Sequence, residues 1–70
     1  MSNTHGRVLM WAMDRGLLEP ENRTKQCLKL TEEVGELAAA ILRGDVYKQA
    51  DAIGDIQVVL IILANQLGIS

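Results

Sequence analysis

The sequence predicts an all-α fold: three helices per chain, with helices two and three antiparallel, that complete a four-helix-bundle core by oligomerisation. Apolar residues recur at alternating three- and four-residue spacing, the pattern of helices that bury one face. The chain has only 70 residues and a single cysteine, so neither a large core nor an internal disulfide can stabilise it. Self-association is the remaining source of stability. We therefore expect residues 1–70 to form a single helical domain that works as a dimer or a tetramer.

The first helix is predicted over about His5–Gly16, with Asn3 or Thr4 as its N-cap and Gly16 as its C-cap. Pro20 is the only proline, and it marks a turn in the connection to the second helix.

The second helix is predicted over about Glu21–Arg43 and ends at Gly44, while Asp45 caps the helix that follows. Its main apolar stripe has a 3-4-3-4 spacing and is predicted to face the core. That stripe comprises Cys27, Leu30, Val34, Leu37 and Ile41. We expect Cys27 to be a small buried hydrophobic residue.

The third helix is predicted over about Val46–Leu67, with its core stripe at Ile53, Ile56, Leu60, Leu63 and Leu67. Its second half is apolar all round, so it needs neighbours on every side, and a second copy of the chain is the natural one. The longest apolar stretch, Ile56–Ala64, is about half of the ~20 residues that span a bilayer. No membrane association is expected.

The charge of the chain gives no indication of a nucleic-acid partner. The net charge is −2 and the basic residues form no run, so nothing favours nucleic acid. The first residues have no signal-peptide pattern, which makes a cytoplasmic location the default expectation.

Acidic residues cluster on two helices. Glu32, Glu33 and Glu36 fall within one sector of the second helix, and Asp51 and Asp55 share a face of the third. If these helices pack antiparallel, the carboxylates face each other. A divalent cation would offset their repulsion, as in other bundles with inward carboxylates.

Oxygen-only ligands suit Mg²⁺ or Mn²⁺, which usually serve phosphate substrates. The spacing thus points to metal-assisted phosphoanhydride hydrolysis. Gly54, beside Asp55, suggests close approach of a neighbouring helix or ligand.

These segments resemble a known family. The stretches K-L-T-E-E-V-G-E-L-A-A-A-I (Lys29–Ile41) and D-A-I-G-D-I-Q-V-V-L (Asp51–Leu60) are similar to the MazG-type nucleotide pyrophosphohydrolases. W-A-M-D-R-G-L (Trp11–Leu17) resembles short, phage-type members. The family signature is E-E-x-x-E followed by E-x-x-D. The chain departs from it at Ala52, which stands where the second motif has its glutamate.

The resemblance implies a role for each matching residue. Glu33, Glu36 and Asp55 would bind Mg²⁺, with Asp51 as a further candidate ligand. Glu32 and Glu33 would be the catalytic carboxylates, Glu32 binding a second ion or orienting the attacking water. The substrate-binding candidates are Lys29, Lys48, Trp11 and Gln26. Trp11 either stacks on a base or anchors packing, Lys48 either contacts phosphate or pairs within its helix, and Gln26 either reads a base or lies at a subunit interface.

The expected function is Mg²⁺-dependent hydrolysis of a nucleoside triphosphate, (d)NTP, between its α- and β-phosphates, which gives (d)NMP and pyrophosphate. The alternative is a catalytically impaired MazG-like bundle that binds a nucleotide or a protein partner, because Ala52 replaces the expected glutamate.

Overall fold

The computed structural model describes residues 4–69 and contains three α-helices, with no strand in that part of the chain. They are α1 (Thr4–Asp14), α2 (Arg23–Arg43) and α3 (Val46–Gln66), and a short 3-10 helix, Pro20–Asn22, precedes α2. Each predicted helix is confirmed, with ends that differ by at most two residues. None of the described helices combines the length and the hydrophobicity that crossing a bilayer requires.

The predicted C-caps Gly16 and Gly44 and the predicted N-cap Asp45 are also confirmed. Gly16 and Gly44 have φ of 67°, a left-handed conformation that closes α1 and α2 and favours glycine. After α2, the Gly44 N–H donates to Ile41 O at 3.1 Å, and the Asp45 N–H donates to Ala40 O at 2.9 Å. The Asp45 carboxylate then caps α3 by accepting from the Lys48 backbone N–H at 3.0 Å. Thr4 lies inside α1, and Asn3, the other candidate cap, is outside the described residues.

The connection of two residues between α2 and α3 makes them an antiparallel hairpin, which is the main tertiary contact of the chain. Ala40 of α2 and Ala52, Val59 and Ile62 of α3 are buried. α1 packs against α3 and buries Ala12 completely.

A side-chain hydrogen bond joins the connection after α1 to the end of α3. Gln66 is buried, and its Nε2 donates to Leu17 O at 2.7 Å. This hydrogen bond helps to position α1 on the hairpin.

The face that each long helix turns to its neighbour differs from the predicted stripe. On α2 only Leu30 and Leu37 of the stripe are half-buried, whereas Cys27, Val34 and Ile41 are exposed. On α3, Ile53, Leu60 and Leu67 are about half exposed. The prediction was wrong here because the buried row of α2 contains Glu33 and that of α3 contains Gln66, so a search for purely apolar stripes does not find them.

Two single-residue expectations are also corrected. Cys27 is exposed, because it lies one position beyond the face that meets α3. At Gly54 an added Cβ would meet no other atom within 4 Å, so no close approach within the chain accounts for this glycine.

The hairpin has two different sides. Because α2 and α3 are right-handed and antiparallel, residues one position after the contact residues fall on the same side of the pair. This side, the apolar face, comprises Cys27, Val34, Ile41, Ile53, Leu60 and Leu67. Residues three positions after the contacts, such as Glu36, Arg43 and Asp55, fall on the opposite side.

Candidate active site

A buried carboxylate lies in the contact between α2 and α3. Glu33 belongs to the row of α2 that also contains Ala40, and only 4% of its surface is exposed. Burying an ionised carboxylate is costly unless it is neutralised or paired, so its surroundings determine what it can do.

The partners of Glu33 are themselves acidic. Its side chain hydrogen-bonds to Glu36, one turn further along α2, and to Asp55 of α3. Burial, the largest cause, together with the hydrogen bonds and negative charges of Glu36 and Asp55, raises the pKa of Glu33 to about 7. The antiparallel pairing therefore brings together Glu33, Glu36 and Asp55, as the spacing predicted.

The contacts in this cluster are pairwise, with Glu33 in the middle. Within residues 4–69 no three His, Cys, Asp or Glu side chains are arranged as a ready-made metal-binding set. The chemistry of the donors nevertheless fits a hard cation, because all three groups offer carboxylate oxygens.

Three clefts meet at this cluster, and Asp55 lines all of them. The Trp11 cleft has a volume of about 470 Å³ and the Arg43 groove about 280 Å³. The third cleft, about 620 Å³, lies between α1 and α3. The Trp11 cleft is lined by Trp11, Leu17, Lys25, Gln26, Lys29, Glu33, Asp55, Val58, Val59 and Ile62. The Arg43 groove is lined by Glu36, Ala39, Ala40, Arg43, Lys48, Asp51, Ala52 and Asp55.

Trp11 separates two of these clefts. Its side chain is 45% exposed, and the Arg15 guanidinium carbon lies 4.4 Å from the centre of its ring, a cation–π contact. Trp11 is therefore not a buried packing residue, and it lines the Trp11 cleft.

The other predicted site residues are divided between the clefts. Gln26 and Lys29 line the Trp11 cleft, and Lys48 and Asp51 line the Arg43 groove. Glu32 is exposed and lines none of the three clefts, so the structure does not bring it into the cluster.

Two further residues belong to the site. Ala52 is buried in the floor of the Arg43 groove, where the resemblance led us to expect a glutamate. Arg43 was missed, although its spacing of seven residues from Glu36 places both on one side of α2.

Comparison with known proteins identifies the class. A family model described as phosphoribosyl-ATP pyrophosphohydrolase matches residues 13–70. The chain thus belongs to the phosphoribosyl-ATP pyrophosphohydrolase family, whose type of reaction is pyrophosphohydrolysis.

A particular relative is a protein of Haemophilus phage HP1 (strain HP1c1), described as an uncharacterized 18.2 kDa protein in the rep-hol intergenic region. It is 48% identical over 61 residues, which are 84% of this chain and 36% of that protein. The chain thus spans about a third of the length of that relative. No solved structure matches the chain at a significant level.

The raised pKa of Glu33 predicts a pH-dependent stability without metal. Because the folded protein holds this proton more tightly than the unfolded chain, the contribution is complete at acid pH and is lost as the pH rises through about 7. In a chelator, we expect the melting temperature to fall by several degrees between pH 5 and pH 8. Thermal unfolding followed by circular dichroism measures this.

The matched variants are Glu33→Gln and Glu32→Gln. The first removes the titrating group from the helix contact and should flatten the decline, whereas the second changes an exposed neighbour and should keep it. Equal pH profiles for Glu33→Gln and the unmodified chain would contradict the raised pKa.

Proposed function

We propose that this chain is a metal-dependent nucleotide pyrophosphohydrolase of the MazG type, which hydrolyses a (d)NTP between its α- and β-phosphates to (d)NMP and pyrophosphate. The observation that carries the proposal is the buried Glu33, hydrogen-bonded to Glu36 and Asp55 where three clefts meet. Membership of a pyrophosphohydrolase family supports the reaction type.

In this proposal Glu33, Glu36 and Asp55 hold Mg²⁺ or Mn²⁺, and Asp51 is available as a further ligand from the neighbouring groove. A bound ion supplies positive charge near the phosphate oxygens and makes water more acidic. Because Glu33 is buried and has a pKa near 7, it is suited to exchange a proton near neutral pH when no ion replaces that proton. Glu32 lies outside the cluster, on the exposed surface of α2, and in this proposal it would orient the attacking water or bind a second ion from there.

The Trp11 cleft is our proposed site for the nucleoside. Its volume of about 470 Å³ lies in the range of small-molecule sites. The Trp11 ring offers a stacking surface for a base, and Gln26 offers hydrogen bonds to its edge. Lys29 lines this cleft together with Glu33 and Asp55, where it can contact a phosphate.

The proposed assembly is a homo-oligomer built on a dimer that buries the apolar face; pairing of two such dimers would give a tetramer. The apolar face leaves Val34 50%, Ile41 59% and Leu60 47% exposed, and adjacent large hydrophobic side chains of this kind are typical of a protein interface. Because the apolar face lies opposite the clefts, pairing would leave them open.

A second candidate function follows from Ala52. With an alanine in the floor of the Arg43 groove, the site has one carboxylate fewer than the MazG pattern, and a site with weakened metal affinity can still bind a nucleotide. In this alternative the protein is a nucleotide-binding or protein-interaction module.

The first test is release of pyrophosphate from a panel of (d)NTPs with Mg²⁺ or Mn²⁺. We expect turnover that is abolished by chelation. Turnover should fall about 100-fold or more in Asp55→Asn, because that variant removes one of the carboxylates proposed to bind the metal ion. The control Asp14→Asn makes the same chemical change at the end of α1, on a residue that lines none of the three clefts, and should retain activity. Binding of nucleotide without turnover would support the alternative module.

Ala52→Glu tests the missing ligand. The substituted side chain would start from the floor of the groove next to Glu36 and Asp55, so we expect tighter binding of Mn²⁺, by about 10-fold, in a calorimetric titration. Circular dichroism checks that the buried position accepts the change. Unchanged or weaker binding by a folded Ala52→Glu variant would show that this position is not part of the metal site.

Leu60→Lys tests the assembly. Leu60 is 47% exposed in the centre of the apolar face, and a charge there should split the oligomer into 7.7 kDa monomers. Light scattering after gel filtration measures the mass. Leu42→Lys, at a residue 88% exposed outside this face, is the control that should still form at least the dimer. A monomeric unmodified chain at tens of micromolar would rule out the proposed interface.

A further inference from the structure

We propose that the Arg43 groove is the binding site for the two terminal phosphates of the substrate, which depart as pyrophosphate, and that Arg43 is a ligand of this anion. The inference rests on the proposed function and adds to it the direction in which the substrate lies.

The direction follows from the positions of the lining residues along the hairpin. From Asp55, the Trp11 cleft runs towards Lys25 near the start of α2 and Ile62 near the end of α3. The Arg43 groove runs the opposite way, towards the end of α2 and the start of α3 at Lys48. The two clefts thus form one trough along the helix axes, with the carboxylates at its centre.

The dimensions suit an extended phosphate chain. Arg43 is seven residues after Glu36 on α2, and Lys48 is seven residues before Asp55 on α3. Along each helix axis, the Cα atom of the basic residue is therefore about 10 Å from that of the acidic residue. Side chains on a helix lean towards its N-terminus, which brings the Arg43 guanidinium back along α2 towards Glu36. An anion that leaves the carboxylates in this direction meets a guanidinium that can bind it through two hydrogen bonds.

Size and lining distinguish the two ends of the trough. The Trp11 cleft has an aromatic ring and aliphatic side chains at Val58, Val59 and Ile62, which suit a nucleoside. The Arg43 groove, about 280 Å³, is below the usual size of a site for a drug-sized molecule. Its floor consists of alanines, Ala39, Ala40 and Ala52, which leave room but offer nothing on which a base can stack. A small inorganic anion fits this groove better than a base does.

The charges of the groove make binding depend on the cation. Three carboxylates and two basic side chains line it, so without a metal ion their fully ionised charges sum to −1. A divalent ion at Glu36 and Asp55 would reverse that sign. The groove should therefore bind pyrophosphate with Mg²⁺ and reject it in a chelator.

The experiment is a calorimetric titration of the full chain with pyrophosphate in Mg²⁺, compared with a nucleoside monophosphate followed by the fluorescence of Trp11, the only tryptophan. We expect Arg43→Gln to weaken pyrophosphate binding about 10-fold or more and to leave monophosphate binding within about twofold. Lys48→Gln, on the α3 side of the groove, should also weaken pyrophosphate binding. This variant replaces Arg43→Gln in the test if Arg43→Gln does not fold.

The matched control is Arg23→Gln, at an exposed arginine that lines none of the three clefts and donates to Pro20 O at 3.2 Å. It should change neither affinity. Pyrophosphate binding that is equal in Arg43→Gln, Lys48→Gln and Arg23→Gln overturns the subsite, as does equal weakening of both ligands by Arg43→Gln.

The outcomes separate this inference from the proposed function. Turnover of nucleotides with pyrophosphate affinity independent of Arg43 and Lys48 overturns the subsite alone. Pyrophosphate binding that requires Arg43 in a chain without any turnover supports the subsite and overturns the hydrolase.

Discussion

The fold depends on how the chain accommodates one carboxyl group, that of Glu33, between α2 and α3. A packed helix contact normally excludes such a group, because water can no longer solvate its charge. Here Glu33 hydrogen-bonds to two more carboxyls, Glu36 and Asp55, and its pKa rises to about 7. The helix contact is thus most stable when Glu33 is protonated. In the proposed function, the same carboxyl group would hold the metal ion.

The antiparallel hairpin separates two kinds of surface in space. Side chains that follow the contact positions by one residue form the apolar face, and those that follow by three, such as Glu36, Arg43 and Asp55, line the clefts. This separation comes from the handedness of the helices alone and needs no large core. A chain of 70 residues can therefore carry an open site on one side and an apolar surface for association on the other.

Particular residues show why some site residues were predictable. Glu33, Glu36 and Asp55 were found because carboxylates three residues apart on one helix, facing a third on an antiparallel helix, are a pattern with few structural explanations. Arg43 was missed because a basic residue in the last turn of a helix is common and stabilises the helix end. Glu32 was included because it adjoins Glu33 in the motif, but one residue is about 100° around a helix, enough to leave it in solvent. Gly54 suggested a close approach that the packing within the chain does not contain.

The sequence by itself determined the three helices, their ends at Gly16 and Gly44, and the meeting of the acidic motifs, because these depend on local backbone preferences and on a two-residue connection. Only the tertiary structure decided which row of residues of α2 and α3 turns inward. The buried rows include the polar residues Glu33 and Gln66, so hydrophobic spacing did not mark them, and small residues such as Ala40 and Ala52 let the two helices approach. The same packing buries Glu33, leaves Cys27 exposed and places the clefts along the hairpin. It depends on contacts between residues that are distant in sequence.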